Sequence, residues 1–276
     1  MNHYKLILIF IGTFLVVPSS YAQTKIMSFN IKYNSPNDGE NWWELRKDEV
    51  GEFLKYYHPD FIGIQEATHN QLKFIVNELD DYDYIGHGRD GLDTDSEGVP
   101  IFYDNTKYEL LETKVFWLSE TPEKVSKGWD AAYKRIVVHG VFKDKKTAQI
   151  INIINTHFDH ESEKARIKSA DLLIDYVRKN NLTNKKIVLM GDLNCIPTES
   201  PIKILEKEFK SSYGIKNYPV YGPVGTFNGF DNIGEVTRKI DYILTKNITV
   251  KNYRCIDDRR KNNLYLSDHF PIMIEI

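Results

Sequence analysis

Cysteine is scarce in this 276-residue chain. Cys195 and Cys255 are its only two, too few for a disulfide framework or a cysteine-rich metal module. Both are read as free thiols. A dominant charge is also missing, since 36 Lys and Arg stand against 39 Asp and Glu for a formal net charge of −3. That argues against a general nucleic-acid binder, which would present a strongly basic face. The short basic clusters at Lys143–Lys146 and Arg259–Lys261 read as solvated loop charge. Internal repeats, low-complexity tracts and domain-dividing linkers are absent as well. Only one apolar run stands out, Leu6–Val17, and it is shorter than the roughly 20 residues a membrane span needs. Lys5 precedes it, Pro18 breaks it, and Ser20-Tyr21-Ala22 follows with small residues where a signal peptidase reads. The expectation is therefore a signal peptide at residues 1–22, cleaved after Ala22, with no cysteine behind the cut to carry a lipid. The mature chain, residues 23–276, is then a single large domain bound for the periplasm or the extracellular space. Losing Lys5 makes it slightly more acidic, and no stable membrane association is expected.

What is present alternates between strand-like and helix-like segments. Strands are expected at Lys25–Ile31, Phe61–Ile64, Val99–Tyr103, Glu109–Trp117, Arg135–Phe142, Gln149–Thr156, Lys186–Met190, Lys239–Leu244, Ile248–Cys255 and Pro271–Ile276. Helices are expected at Leu45–Tyr57, His69–Leu79 and Glu161–Lys179, with another opening at Ser200-Pro201 as cap and first position. β-α-β stretches and consecutive strands both occur, which points to mixed sheets covered by helices.

Polar residues recur where apolar strands end. Ile26-Met27-Ser28-Phe29 runs into Asn30, and Phe61–Gln65 into Glu66. Ile150–Ile154 runs into Asn155-Thr156-His157, and Ile187–Met190 into Gly191-Asp192-Leu193-Asn194. A single such residue is usually a cap, a turn former or a satisfied core histidine. The same arrangement four times over marks a site at the carboxyl ends of strands. Two further pieces lie near the C-terminus, Ile240-Asp241-Tyr242 inside a strand and Ser267-Asp268-His269-Phe270-Pro271 before the last one.

Taken in this order, Ser28-Phe29-Asn30-Ile31, Ile64-Gln65-Glu66, Asn155-Thr156-His157-Phe158-Asp159-His160, Gly191-Asp192-Leu193-Asn194, Ile240-Asp241-Tyr242 and Ser267-Asp268-His269-Phe270-Pro271 resemble the endonuclease/exonuclease/phosphatase superfamily. The resemblance covers essentially the whole mature chain. It implies a four-layer α/β sandwich of two packed mixed sheets flanked by helices, and metal-assisted hydrolysis of a phosphoric ester with water attacking phosphorus. Mg²⁺, or Mn²⁺ in its place, is the implied cofactor, with Glu66, Asn30 and Asp268 as metal residues. Asp192 is placed as base or orienting partner of the attacking water, and Asn194 as a donor. His157 and His269 are placed, in their charged forms, against the phosphoryl oxygens, with Asp241 orienting His269 and Glu97 the candidate to orient His157. Arg135, Asn228 and Asn155 are candidate substrate contacts, and Arg89 and Arg46 are weaker ones. Trp42, Trp43, Trp117 and Trp129 read as core. Lys32 departs from the pattern, because abasic-site endonucleases carry a carboxylate two residues after the Asn.

A small phosphorylated compound is the expected substrate, favoured by export, weak basicity and the long aromatic-rich insertion between Glu109 and Arg135, whose Val99–Trp117 and Trp117–Arg135 segments are expected to narrow the cleft. Extracellular DNA or RNA is the alternative and would need a basic groove. A phospholipid head group or a non-catalytic binding role is less favoured. The acidic, glycine-containing Asp90–Gly98 loop is expected to be mobile and to screen the cleft from long polyanions.

Overall fold

A computed structural model describes residues 23–92, 94–214 and 218–276. The leader assigned to residues 1–22 lies outside the described residues. The chain runs through β1 (Lys25–Asn30), α1 (Trp43–Tyr57), β2 (Phe61–Gln65), α2 (His69–Glu78), β3 (Tyr82–Ile85), β4 (Ile101–Asp104) and β5 (Tyr108–Trp117). Then follow β6 (Ile136–Asp144), β7 (Ile150–His157), α3 (Glu163–Lys179), β8 (Ile187–Asp192), α4 (Ser200–Leu205) and β9 (Lys210–Ser211). The last elements are β10 (Val220–Tyr221), β11 (Asp241–Lys246), β12 (Asn252–Cys255) and β13 (Ile272–Glu275).

Two mixed sheets result, a seven-stranded one in the order β10-β12-β13-β1-β2-β4-β3 and a six-stranded one in the order β5-β6-β7-β8-β11-β9. β1 and β2 pair in parallel at the centre of the first, and β7 and β8 at the centre of the second. Alternation along β8 explains the four layers. Val188 and Met190 point into the core between the sheets, while Ile187 and Leu189 point to the core under α3 and α4. In β1, Ile26 enters the inter-sheet core, and Met27 and Phe29 meet the layer beneath α1 and α2. A strand buried on both faces needs apolar residues at nearly every position, hence the unbroken runs in the sequence. Each such side chain contributes about 1.5–3 kcal/mol on burial.

Helix ends follow local chemistry. Ser162 caps α3 by accepting from the Ala165 amide at 3.1 Å. α1 ends at His58 in a left-handed conformation, just before Pro59. α4 begins one position earlier than expected, with Glu199 as cap. β11 starts at Asp241 rather than Lys239, and β3, β9 and β10 had no counterpart in the sequence reading. No helix among the described residues is long and apolar enough to cross a membrane.

Candidate active site

Strand register assembles one end of the sandwich. His157 on β7, Asp192 on β8 and Asp241 on β11 are partners across three adjacent strands. Gly191 permits the close pairing, since its φ is +144° and a Cβ there would lie 1.9 Å from the Thr156 carbonyl oxygen. From the facing sheet, Asn30 ends β1, and Glu66 follows β2 with a left-handed φ of 62°. Asp268 and His269 arrive just before β13, where Phe227 and His269 form a β-bridge. Lys32 and Asn194 also have left-handed φ, at 57° and 48°. Non-glycine residues in this region cost free energy and persist only where surroundings hold them.

Asp192 stands at the centre. Its Oδ2 accepts from Asn30 Nδ2 at 3.1 Å and lies 3.4 Å from His157 Nε2 and 3.7 Å from His269 Nε2. Its Oδ1 accepts from the Asn194 amide at 2.9 Å. His269 Nδ1 is 2.8 Å from Asp241 Oδ2, and both side chains are almost wholly buried. Thr226 Oγ1 accepts from the amides of Ile240 and Asp241, which fixes that carboxylate's strand end.

Burial disfavours the charged form of His269, but Asp241, Asp192 and Asp268 outweigh it and raise the imidazole to about 10. Burial and then repulsion from Asp241 push the Asp192 carboxyl up to about 7. His157 goes the other way. Burial first, then the charges of Arg135 and His269, hold it well below its ordinary value. The two histidines expected to be charged therefore differ, His269 being an imidazolium and His157 a neutral imidazole. Burial works to raise Glu66, yet Lys32 and the Asn30 hydrogen bond hold it down as a carboxylate.

Hydrogen bonds place the other candidate residues. Glu97 does not orient His157; its carboxylate meets the Arg89 guanidinium at 2.7 and 3.1 Å. Asn30 joins the carboxylates of the site. Its Oδ1 takes the Lys32 amide, and its Nδ2 reaches Glu66 at 3.0 Å and Asp192, so it ties two carboxylates together. Asn155 is sealed between the sheets. Its Nδ2 donates to the carbonyls of Ile64, Val99 and Pro100, and its Oδ1 accepts from Gln65, which leaves nothing for a substrate. Asn228 clamps the loop that carries Asp268, donating to the Ser267 carbonyl and accepting from the Phe230 amide. Arg46 is fully buried and spends its three nitrogens on the carbonyls of Asn41, Leu266 and Lys32. Arg135 does line the cleft, 3.7 Å from Asp159, and its Nε has no hydrogen-bond partner among the described residues.

The cleft measures about 770 Å³, and its lining includes Lys32, Glu66, His157, Asp192, Asp268 and His269. No tryptophan lines it. One wall comes from the aromatic Trp117–Arg135 segment and the loop before it. The Arg89 guanidinium lies 4.7 Å from the Tyr133 ring centroid, and the His160 ring stacks on Tyr133 at 5.9 Å with an interplanar angle of 17°. Asp159 shapes this segment by accepting from the amides of Ala132 and Tyr133. The Asp90–Gly98 loop, expected to be mobile, is tied by the Arg89–Glu97 pair, by the Asp90 amide on Ser96 Oγ, and by Lys134 on Asp90 at 2.7 Å.

Ligand atoms of Glu66, His157 and Asp192 lie within 4.8 Å of one another, as do those of Asp192, Asp241 and His269. The second group is committed to the His269–Asp241 contact. Glu66, with Asp268 across the cleft, supplies the hard oxygen donors that suit a divalent cation. Two packed mixed sheets, carboxylates fit for a cation and an Asp–His pair at one end of the sandwich define a phosphoester hydrolase. The sequence profile described as the Endonuclease/Exonuclease/phosphatase family matches residues 27–269, and the chain belongs to that family of metal-dependent hydrolases of phosphoester bonds. An endonuclease/exonuclease/phosphatase from Bacteroides vulgatus is 36% identical with a TM-score of 0.87, over 92% of this chain and 98% of its own. A mannosyl-6-phosphatase from Bacteroides thetaiotaomicron is 32% identical with a TM-score of 0.86, over 92% of this chain and 99% of its own. A protein of Acanthamoeba polyphaga mimivirus is 29% identical over 251 residues, 84% of this chain and 91% of its own.

Proposed function

We propose that this chain is an exported phosphatase that removes the phosphoryl group from a small sugar phosphate by direct attack of water on phosphorus. The observation that carries the reading is the placement of Asp192 between a neutral His157 and the charged His269–Asp241 pair. Glu66 and Asp268 would hold a divalent cation, Mg²⁺ or Mn²⁺. When bound, it neutralises phosphoryl charge and stabilises the leaving oxygen.

The chain's own groups do the rest. Asp192, raised toward neutrality, takes the proton of the attacking water on its carboxylate. Asn194 and His157, in contact through Nδ2 and Nε2 at 3.1 Å, orient that water. His269 keeps its Nδ1 proton on Asp241 and turns Nε2–H to a phosphoryl oxygen, a charge-assisted donor where negative charge develops. As the new P–O bond forms, the ester P–O bond breaks, the leaving alkoxide takes a proton from solvent water, and Asp192 returns its proton to solvent, so one water is consumed and the alcohol and inorganic phosphate are released.

Support for a small ring-bearing substrate comes from the Tyr133–Arg89–His160 wall and from the mannosyl-6-phosphatase relative. Aromatic faces pack well on sugar rings. Lys32, Arg89, Arg135 and Arg238 also line the cleft, and salt dependence separates a single phosphoryl group held there from a run of phosphates. A panel assay with Mg²⁺ tests the reading, using a hexose 6-phosphate, an aryl phosphomonoester, an aryl phosphodiester, plasmid DNA and RNA. Hexose phosphate should be the best substrate, with shallow salt dependence. Faster plasmid cutting that falls steeply with salt would move the chain to the nuclease reading. Export is tested separately, by sequencing the N-terminus of the protein from the producing cell; a chain retaining residues 1–22 would overturn it.

A further inference from the structure

The backbone of Lys32 is held at two points by three side chains. Its amide donates to Asn30 Oδ1 at 3.0 Å, and its carbonyl accepts from Arg46 at 2.9 Å and Gln71 at 2.8 Å. Arg46 and Gln71 are both fully buried. This frame imposes a left-handed φ of 57° on a residue with a Cβ, a conformation usually left to glycine or asparagine. An exposed lysine needs no such frame. What it achieves is direction, for the ammonium lies 3.5 Å from Asp268 Oδ2 and 4.6 Å from the Tyr33 ring centroid, on the lining of the catalytic cleft.

The oxygen donors nearby are few. Asp241 is engaged by His269, and Asp192 by Asn30 and Asn194. Glu66 is engaged too, by Asn30 at 3.0 Å and the Tyr33 amide at 3.1 Å, and Asp268 faces Lys32, so no carboxylate is unpartnered and the set suits one cation that keeps several waters. Lys32, Arg89, Arg135, Arg238 and the imidazolium of His269 already face Glu66, Glu97, Asp192, Asp268 and the adjacent Asp241, which leaves little charge for two divalent ions to neutralise.

We propose that Lys32 is a built-in second cation of the catalytic centre: its ammonium binds a non-bridging oxygen of the phosphoryl group, and the chain takes one divalent ion per active site. The inference rests on the phosphatase reading above. A lysine serves this purpose as a mobile point charge, able to leave Asp268 for phosphate without changing the backbone that presents it.

The test compares the wild-type chain with Lys32→Met, Lys32→Arg, Lys32→Asn and Lys32→Asp. Mn²⁺ stoichiometry comes from titration calorimetry, and inorganic phosphate affinity is measured in saturating Mg²⁺. Wild type should bind one Mn²⁺. Lys32→Met should still bind one, no more weakly, while its phosphate affinity falls at least about tenfold and kcat/KM for an aryl phosphate about a hundredfold. Lys32→Arg should recover part of both losses, and Lys32→Asp should bind a second Mn²⁺. Lys32→Asn accepts the left-handed backbone and repeats the Met test if that variant fails to fold. Two Mn²⁺ per wild-type chain, or unchanged phosphate affinity in Lys32→Met and Lys32→Asn, would overturn the proposal. Neither binding measurement depends on turnover, so a chain that hydrolyses no phosphoester refutes the phosphatase reading by a separate result.

Discussion

Asp241→Asn isolates the electrostatic core of the site, because the amide keeps the carboxylate's shape and removes its charge. In the native chain His269 is raised from 6.5 to about 10, which at about 1.4 kcal/mol per tenfold is on the order of 5 kcal/mol in favour of the imidazolium. Asp241 is the strongest attraction behind that rise and acts twice, as a charge and as the hydrogen-bond acceptor at 2.8 Å. Without it, burial is opposed mainly by Asp192 and Asp268, and His269 should drop toward its ordinary value. At pH 8 a nearly full population of imidazolium then becomes a small minority. Loss of one donor of this kind costs about 10²–10³ in kcat. The sign of the pH effect is fixed. Activity needs Asp192 ionised and His269 protonated, so kcat/KM rises through the Asp192 value near 7 and falls through the His269 value near 10. A bound cation lowers both limbs. Asp241→Asn should move the alkaline limb sharply to lower pH and the acid limb much less, because losing the repulsion of Asp241 lowers Asp192 while losing the charge of His269 raises it. Histidine NMR titration gives the same shift without turnover. If the alkaline limb stays in place and kcat remains within threefold of wild type, the reasoning about the His269–Asp241 pair is wrong.

Asn155→Ala should cost about 2–4 kcal/mol in urea denaturation, since it removes a buried donor from the Ile64, Val99 and Pro100 carbonyls and one acceptor from the Gln65 side chain, while folded protein at low temperature keeps most of its kcat. Gly191→Ala should destabilise by about 3 kcal/mol or more and displace Asp192, so the remaining folded chain should lose turnover as well. Tyr133→Ala should raise KM for a hexose phosphate by about fivefold with kcat changed less than threefold; an unchanged KM would remove this wall from substrate recognition.

The sandwich was legible because strands buried on both faces must be apolar throughout, and the site because polar residues interrupt those runs where the strands end. The same signal misled at Asn155. It shares a strand face with His157 two residues on, yet only His157 reaches the end of the sandwich, while Asn155 stops under the Ile64, Val99 and Pro100 carbonyls. No periodicity separates these two depths. Glu97 was legible as a carboxylate near the site, but its partner depends on the loop fold that brings Arg89 back to it. The Trp117–Arg135 segment was legible as an aromatic wall, but Tyr133 could not be picked out within it, because its position comes from backbone hydrogen bonds to Asp159 in an irregular segment. β9 and β10 are two residues each, too short for any alternation to register.

The central claim is a divalent-cation phosphatase centred on Glu66, and the most direct test follows phosphate release from a hexose 6-phosphate as Mg²⁺ is titrated into chelator-stripped protein. The stripped chain should release no phosphate, wild type should recover fully with Mg²⁺, and Glu66→Gln should need at least about tenfold more Mg²⁺ for half activity. Full turnover in excess chelator, or a Glu66→Gln titration that overlays wild type, would contradict the account.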